Sequence, residues 1–425
     1  MAVTGRLDGL TILRFARAYE HGGGVEGHLA DLNRALGARN RLTTIQMQLT
    51  VDPARLTPTE KLLGKVRIVT VPLLEGRGSS PATWAPELKS QMLDLLLPTG
   101  RINTLAMRQL SKWRKVPRRA GCAVDAGPKS AEILREFHVD LVVLHASGGA
   151  DVSEIIDAAY AQEVPVVIVH HFANARLGDA SVRQQVSRVH GVAGASSVGV
   201  PRYLRGIFCN LSDSVDTDFY DRASARALAH EFPEALIYAP GRLTPDKGQA
   251  AVIEMAYRLK QRGLAVKVAF AGRADVPEFE MHLRRLVAER GLSDAVMFLG
   301  PLSLEEYRDW YGPAKVMVMP TQHSEGMPRT LIEAQSMQVP PVVYDVGGTS
   351  EGVRHGDTGF LIKKGDVDAM TTAVESLIRQ PSLQKAMGEE GRRFVVSSFS
   401  PAALAARHEE FYSRVLAAHA RSRRR

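Results

Sequence analysis

Apolar residues recur along this chain in short unbroken blocks, each followed by a stretch with helical periodicity. The block at residues 10–15 (Leu-Thr-Ile-Leu-Arg-Phe) predicts a first strand. Beyond a glycine-rich turn, Val25, Leu29, Leu32 and Leu36 fall at helical spacing. Similar blocks at 43–48, 66–71, 140–145 and 165–171 predict further strands. The intervening patterns predict helices at 84–97, 131–137 and 155–160, the first ended by Pro98. A stretch rich in Gly, Ala and Ser, 189–200, interrupts the alternation. It then resumes, with strands at 236–240, 266–271, 296–300 and 316–319. Helices are predicted at 249–262, 304–310, from Leu331 onward, and at 367–379, 381–394 and 401–418. Blocks that are apolar throughout suit strands buried on both faces, as in a parallel sheet covered by helices.

A chain of 425 residues is long enough for two or more such domains, at about 150 residues each. Two cysteines, Cys122 and Cys209, give neither a disulfide framework nor metal-ligand spacing, and fit a reducing, cytoplasmic compartment. The first 19 residues lack the apolar core of a signal peptide, and no run approaches the roughly 20 apolar residues of a membrane span. The net charge of +8 bears on partners. It concentrates at residues 101–119, where Arg101, Arg108, Lys112, Arg114, Lys115, Arg118 and Arg119 accompany a helical stripe of Ile102, Leu105, Ala106, Leu110 and Trp113. That pattern predicts peripheral contact with an anionic membrane, or a plain solvated helix. Without interleaved aromatics it does not predict a nucleic-acid surface. The tail residues Arg421, Arg423, Arg424 and Arg425 would add about 1 kcal/mol each near an anionic surface.

The candidate chemistry lies at strand–turn–helix junctions. Gly22, Gly23 and Gly24 follow the first strand; they allow close backbone approach to a ligand but do not form Gly-x-Gly-x-x-Gly. The strand at 165–171 ends in His170 and His171, at what would be the ligand edge of a parallel sheet. The turn after 236–240 carries two cations, Arg242 and Lys247, suited to a diphosphate or to ordinary salt bridges. Asp216-Thr217-Asp218 has the Asp-x-Asp form that holds a divalent cation in some nucleotide-sugar enzymes; the alternative is that its aspartates cap turns. The richest stretch is His323-Ser324-Glu325-Gly326-Met327-Pro328-Arg329-Thr330-Leu331-Ile332-Glu333-Ala334. It is predicted to be a turn leading into a helix N-terminus, whose amides suit an anion. Pro328 has no N–H, so Gly326, Met327 and Arg329 must donate. Glu325 and Glu333 add acceptors for hydroxyls; the plainer reading makes Glu325 a helix cap and Glu333 a solvated charge.

The Glu325…Glu333 pair resembles the donor-site motif of retaining glycosyltransferases of the GT-B fold, family 4. The resemblance continues through Val342-Val343, Gly347-Gly348, Glu351, Gly356 and Gly359-Phe360-Leu361, and upstream through Gly241-Arg242-Leu243 and Lys247-Gly248. It covers residues 237–365 well and the first half more loosely. It implies an α/β architecture of two doubly wound Rossmann-like domains facing across a cleft, with the C-terminal helix crossing back to the first. The expected domains are 1–210 (acceptor side), 211–395 (nucleotide-sugar binding) and 396–425 (the returning helix and basic tail). By resemblance Glu325 orients donor-sugar hydroxyls, Glu333 accepts from the ribose, Arg242 and Lys247 neutralise the diphosphate, and Thr330 lies in the donor site. His171 is the better match for the family's histidine, with His170 the runner-up; together with Gly23 and Gly24 it closes over the sugar. The implied reaction is transfer of a sugar, with retention and without a metal or other cofactor, from a nucleotide diphosphate sugar to a saccharide or lipid-linked acceptor in polysaccharide or glycolipid synthesis. The alternatives are a GT-B epimerase or phosphorylase, a non-enzymatic basic membrane-surface protein with a degenerate site, and a nicotinamide oxidoreductase, the last disfavoured by the missing fingerprint. Two departures from the family stand out. Arg273 and Asp275 replace an Asp-Gly, and Val339 stands where a glycine before proline is usual.

Overall fold

The computed structural model describes residues 7–16, 24–50, 59–63, 65–74, 126–145, 150–170, 180–194, 196–198, 200–204, 207–211, 213–228, 232, 234–324 and 326–424. The strands are β1 (Thr11–Ala16), β2 (Leu42–Thr50), β3 (Thr59–Leu63), β4 (Val66–Leu74), β5 (Leu141–Leu144), β6 (Val166–His170), β7 (Gly191–Gly194), β8 (Phe208–Asn210), β9 (Ala235–Pro240), β10 (Val266–Ala271), β11 (Val296–Gly300), β12 (Val316–Met319), β13 (Pro341–Tyr344) and β14 (Phe360–Ile362). The helices are α1 (Gly24–Arg39), α2 (Ala126–Glu136), α3 (Ala150–Tyr160), α4 (Ala180–Val186), α5 (Gln249–Gln261), α6 (Pro277–Glu289), α7 (Leu304–Asp309), α8 (Arg329–Ser336), α9 (Thr349–Gly352), α10 (Val367–Arg379), α11 (Pro381–Phe399) and α12 (Pro401–Ser422).

They build two α/β domains. The first sheet has eight strands in the order β3-β4-β2-β1-β5-β6-β7-β8, parallel except for β3, which runs antiparallel to β4. The second has six parallel strands in the order β11-β10-β9-β12-β13-β14. In each, the chain builds outward on one side and then restarts on the other. The restart falls between β1 and β5 in the first sheet and between β9 and β12 in the second. At such switch points the loops leaving adjacent strands diverge and leave a crevice at the carboxyl edge.

Central strands are buried on both faces, as their unbroken apolar runs predict. Ile237, Val316 and Val318 enter one core, under α5, α6 and α10. Leu236, Tyr238, Met317 and Met319 enter the other, with Leu331, Ile332 and Ala334 of α8. The first sheet divides likewise: Leu13 and Phe15 lie on one face and Ile12 on the other.

The core on the Ile12 face is completed from the far end of the chain. Leu404, Ala405, Phe411, Tyr412 and Val415 of α12 pack with Leu32 and Leu36 of α1. Buried Glu409 accepts from Arg39 Nε and Nη2 at 2.8 and 3.0 Å and from Asn40 Nδ2 at 2.7 Å. The last helix therefore returns to the first domain. Pro401 and the Ser400 Oγ, which accepts from the Ala403 amide at 3.4 Å, start it afresh after α11.

Several features depart from the expectations, which gave no element to α4, β8, β13, α9 or β14. β3 is an added antiparallel edge strand. β7 lies inside the Gly/Ala/Ser-rich stretch. α6 occupies a segment given no element. In the turn before β13 the left-handed residue is Gln338, at φ +58°, while Val339 is fully buried; the conformational demand falls one residue earlier than expected. The helix expected at 84–97 and the basic segment 101–119 lie outside the described residues. Among the described residues no helix is long and apolar enough to cross a membrane.

Candidate functional site

Three loops meet at the second switch point: residues 241–248 after β9, 320–328 after β12, and 345–348 after β13. They are stitched backbone to backbone. The Gln322 amide donates to the Asp246 carbonyl at 2.7 Å, and Thr321 Oγ1 to the same oxygen at 3.3 Å. Gln322 Nε2 reaches the Pro320 carbonyl at 2.9 Å, and Lys364 Nζ donates to the Gln322 carbonyl. Glycines permit the closest approaches. Gly248 has φ +77°, and a Cβ on it would stand 2.1 Å from the Pro320 oxygen. A Cβ on Gly348 would stand 2.6 Å from the Met327 nitrogen and 2.7 Å from the Gly326 carbonyl carbon.

Lys247 closes a short 3-10 turn, Pro245–Lys247, and α5 begins two residues later. A lysine and the N-terminus of a helix thus follow one another on one loop of the switch point, an arrangement that suits phosphate. His323 Nδ1, on the motif loop, lies 3.3 Å from Asp246 Oδ2 on the facing loop. Arg242 makes one of the ordinary salt bridges that the sequence left open. Its Nη1 lies 2.5 Å from Asp275 Oδ2, and Arg273 Nε donates to Asp275 Oδ1 at 2.9 Å. Burial would raise the Asp275 pKa, but the two arginines outweigh it and hold the carboxyl below its usual range. Of the residues that replace the family's Asp-Gly, Asp275 has therefore become the partner of Arg242, and Arg273 shares it. Both arginines are more than half exposed, so each pair is worth under about 1 kcal/mol and yields to a more highly charged ligand.

Glu333, in the second turn of α8, is buried, not solvated. Burial raises its pKa to about 7, against the opposing charge of Arg329 and a hydrogen bond from Tyr220, with Asp213 pushing further upward. Arg329 Nε is 3.8 Å from Glu333 Oε1. Tyr220, Tyr238 and Tyr307 cluster around Glu333, their hydroxyls pushed upward by burial first and by the Glu333 charge second. The Tyr311 hydroxyl contacts the Thr330 carbonyl at 3.5 Å. Thr330 Oγ1 itself lies 3.4 Å from Met319 Sδ, at the end of β12. The Met327 side chain is buried in the apolar core, so Met327 offers the crevice its backbone alone.

Arg242, Lys247, Gly326, Met327, Arg329, Thr330 and Glu333 thus gather on the loops and helix of one switch point. Glu325, His171 and Gly23 lie outside the described residues, and Gly24 is the first residue of α1. His170 is buried at the end of β6. Sequence reasoning passed over His145, buried directly after β5 at the first sheet's switch point, its amide bonded to the Phe15 carbonyl at 2.8 Å. Its signal was the one that drew attention to His171, a histidine ending an apolar strand. Asp216 behaves as a turn cap: its Oδ1 accepts from the amides of Asp218 and Phe219 at 3.1 and 3.0 Å.

Comparison with known proteins agrees with this geometry. The profile of the family described as glycosyl transferases group 1 matches residues 222–394, which hold all three loops. The GDP-mannose-dependent alpha-(1-6)-phosphatidylinositol monomannoside mannosyltransferase of Mycolicibacterium smegmatis is 31% identical over 278 residues, 62% of this chain and 71% of that protein. The chain belongs to the group 1 glycosyl transferases. Among solved structures, a glycosyltransferase from Rickettsia africae superposes with a TM-score of 0.68 at 17% identity, covering 96% of this chain and 98% of its own. HepE of Anabaena, in complex with UDP, gives 0.66 at 15% identity, covering 95% and 100%. These likenesses carry the fold, GT-B. The protein is an enzyme, a glycosyltransferase.

Proposed function

We propose that the enzyme is a retaining, metal-independent member of family 4. It moves a sugar from a nucleotide diphosphate sugar to a hydroxyl of a saccharide or lipid-linked acceptor, in polysaccharide or glycolipid synthesis at the cytoplasmic face of a membrane. The observation that carries this reading is the convergence of Lys247, the N-terminus of α5 and the buried Glu333 carboxylate on one crevice. The first two suit a diphosphate, and the third suits a pair of ribose hydroxyls. The relatives are in keeping with it: the mycobacterial enzyme is named for GDP-mannose and a phosphatidylinositol acceptor, and HepE was solved with UDP.

In this reading the diphosphate lies against Lys247 and displaces Asp275 from Arg242. Two protein cations then stabilise the charge that develops as the glycosidic bond breaks. Glu325 orients the sugar hydroxyls, while His171 and the Gly22–Gly24 loop close from the first domain, excluding water. The acceptor attacks from the face the phosphate leaves, and the departing phosphate oxygen takes the acceptor proton, so the anomeric configuration is retained. Glu325→Ala is expected to cut transfer by roughly 100-fold, the scale of losing one preorganised electrostatic contact.

Calorimetric titration with UDP, GDP and dTDP in EDTA, beside an Arg242→Ala/Lys247→Ala double variant, tests the donor site. One nucleotide should bind the native enzyme and not the variant. Binding that appears only on adding Mn2+ would transfer support to a metal-dependent site. Peripheral contact through residues 101–119 predicts sedimentation with anionic liposomes at low salt, and equal recovery with neutral vesicles would remove it.

A further inference from the structure

Among the described residues a hydrogen bond joins the loops at the carboxyl edges of the two sheets. The Ser197 amide, just after β7, donates to Glu351 Oε1, in α9 after β13, at 2.7 Å. Both ends are held in place. On the first domain, buried Ser196 accepts from the Val198 amide through its Oγ at 3.0 Å and fixes the turn that presents Ser197. On the second, buried Thr349 Oγ1 accepts from the Val346 amide and donates to the Tyr344 carbonyl, both at 2.9 Å. Gly348, three residues before Glu351, is pressed against the Gly326–Met327 turn.

We infer that Glu351 is a positioning residue that sets how far the two domains close: its carboxylate straps the first domain, through the Ser197 amide, to the loop that supports the donor motif. A movement at Ser197 is passed through a short rigid loop to the Gly326–Met327 turn. Glu351 gains little for folding in this place. Its Oε2 is shielded from solvent and has no hydrogen-bond donor among the described residues, an arrangement that costs stability. A carboxylate half satisfied at a domain junction serves geometry more than stability. The strap uses no side chain assigned to the donor site, so nucleotide can bind the second domain whether or not it is fastened.

This inference rests on the donor-site reading for its consequence in transfer, and its test separates the two. Native protein, Glu351→Ala and Glu351→Gln are compared by small-angle scattering, by exchange of the Ser197 amide, by melting temperature, and by calorimetry with UDP and GDP as probes. Glu351→Ala is expected to have a larger radius of gyration and at least about tenfold faster exchange at Ser197. Its melting temperature and nucleotide Kd should be unchanged within error and within about twofold respectively, because the substitution leaves every side chain assigned to the donor site in place. Glu351→Gln keeps an oxygen for the Ser197 amide and should restore the compact form. Identical scattering and exchange for native protein and Glu351→Ala would overturn the strap, whatever the nucleotide data. A native protein that binds neither probe would count against the donor-site reading, and the scattering comparison would still decide the strap.

Discussion

The Cα of Gly248 faces the carbonyl oxygen of Pro320 with no room for a side chain between them. Two loops that leave adjacent strands, separated by more than 70 residues of sequence, meet there without a side chain. Gly248→Ala has to open this seam. The left-handed backbone alone costs an L-residue about 1 kcal/mol, and the clash with a backbone oxygen adds to it. We expect a lower melting temperature and at least about tenfold weaker nucleotide binding, since Lys247 and the start of α5 move with the loop. Unchanged affinity by calorimetry would dissociate the seam from the site.

Glu333 makes both stability and binding depend on pH. Its folded pKa, about 7, lies above the ordinary 4.5. Between those values the folded protein keeps a proton that the unfolded chain has lost, so stability falls as pH rises through this window, by on the order of 3 kcal/mol. Glu333→Gln removes the dependence. It should melt above the native protein at pH 8 and close to it at pH 5. Nucleotide binding runs the other way: ribose hydroxyls donate best to the carboxylate, so native affinity should rise through pH 7, and Glu333→Gln should be weak and flat. Parallel melting curves across pH 5–8 would contradict the assignment.

In the proposed donor site Asp275 would compete with phosphate for Arg242. Asp275→Asn is expected to tighten nucleotide diphosphate binding by no more than about fivefold, because exposed ion pairs are worth under about 1 kcal/mol. The gain should fade in high salt. Lys247→Ala acts in the opposite direction and further, by roughly 100-fold. Titrations of both variants at two salt concentrations make the comparison.

Glu409 tests the return of the last helix. Glu409→Ala leaves buried Asn40 Nδ2 with only its longer 3.4 Å bond to the Leu36 carbonyl and takes the acceptor from Arg39 Nε and Nη2. Loss of a fully buried pair costs about 3–5 kcal/mol; with Arg39 partly exposed we expect about 2 kcal/mol. Urea denaturation followed by a reporter in the first domain measures it, and a change below about 0.5 kcal/mol would mean that α12 is held by its apolar face alone.

Most of the central parallel strands were legible because each is a largely apolar run, and so was the turn-to-helix character of the motif around Gly326 and Pro328; β8, β13 and β14, of three or four residues each, were too short to read. β3 was not: Glu60 and Lys61 break its apolar pattern, and as an antiparallel edge strand it is defined by its pairing with β4. β7 was hidden by its own small residues, which fit a strand covered closely on both faces. α6 did carry signals, Pro277 and Glu278 at its start and Phe279, Leu283 and Val287 down one face, and these went unread.

At the site, the kinds of residue were legible but their states were not. Nothing in the spacing tells that Arg242 meets Asp275, 33 positions away, because that contact depends on β9 and β10 being neighbours. The raised pKa of Glu333 depends on burial beside Tyr220, Tyr238 and Tyr307, which come from three other segments. Ser197 and Glu351 stand 154 positions apart.

The last helix also bears on how the protein is made. The first domain's core includes Leu404, Phe411, Tyr412 and Val415. While the chain is being synthesised, α1 and the strands beside it must wait with an apolar face uncovered until α12 leaves the ribosome. The second domain, whose cores draw on residues from 215 to 399, can close earlier. At about 5–20 residues per second the first domain is exposed for tens of seconds. The order of completion is thus the reverse of the order of synthesis, and the half of the molecule translated first is the half that most needs a chaperone.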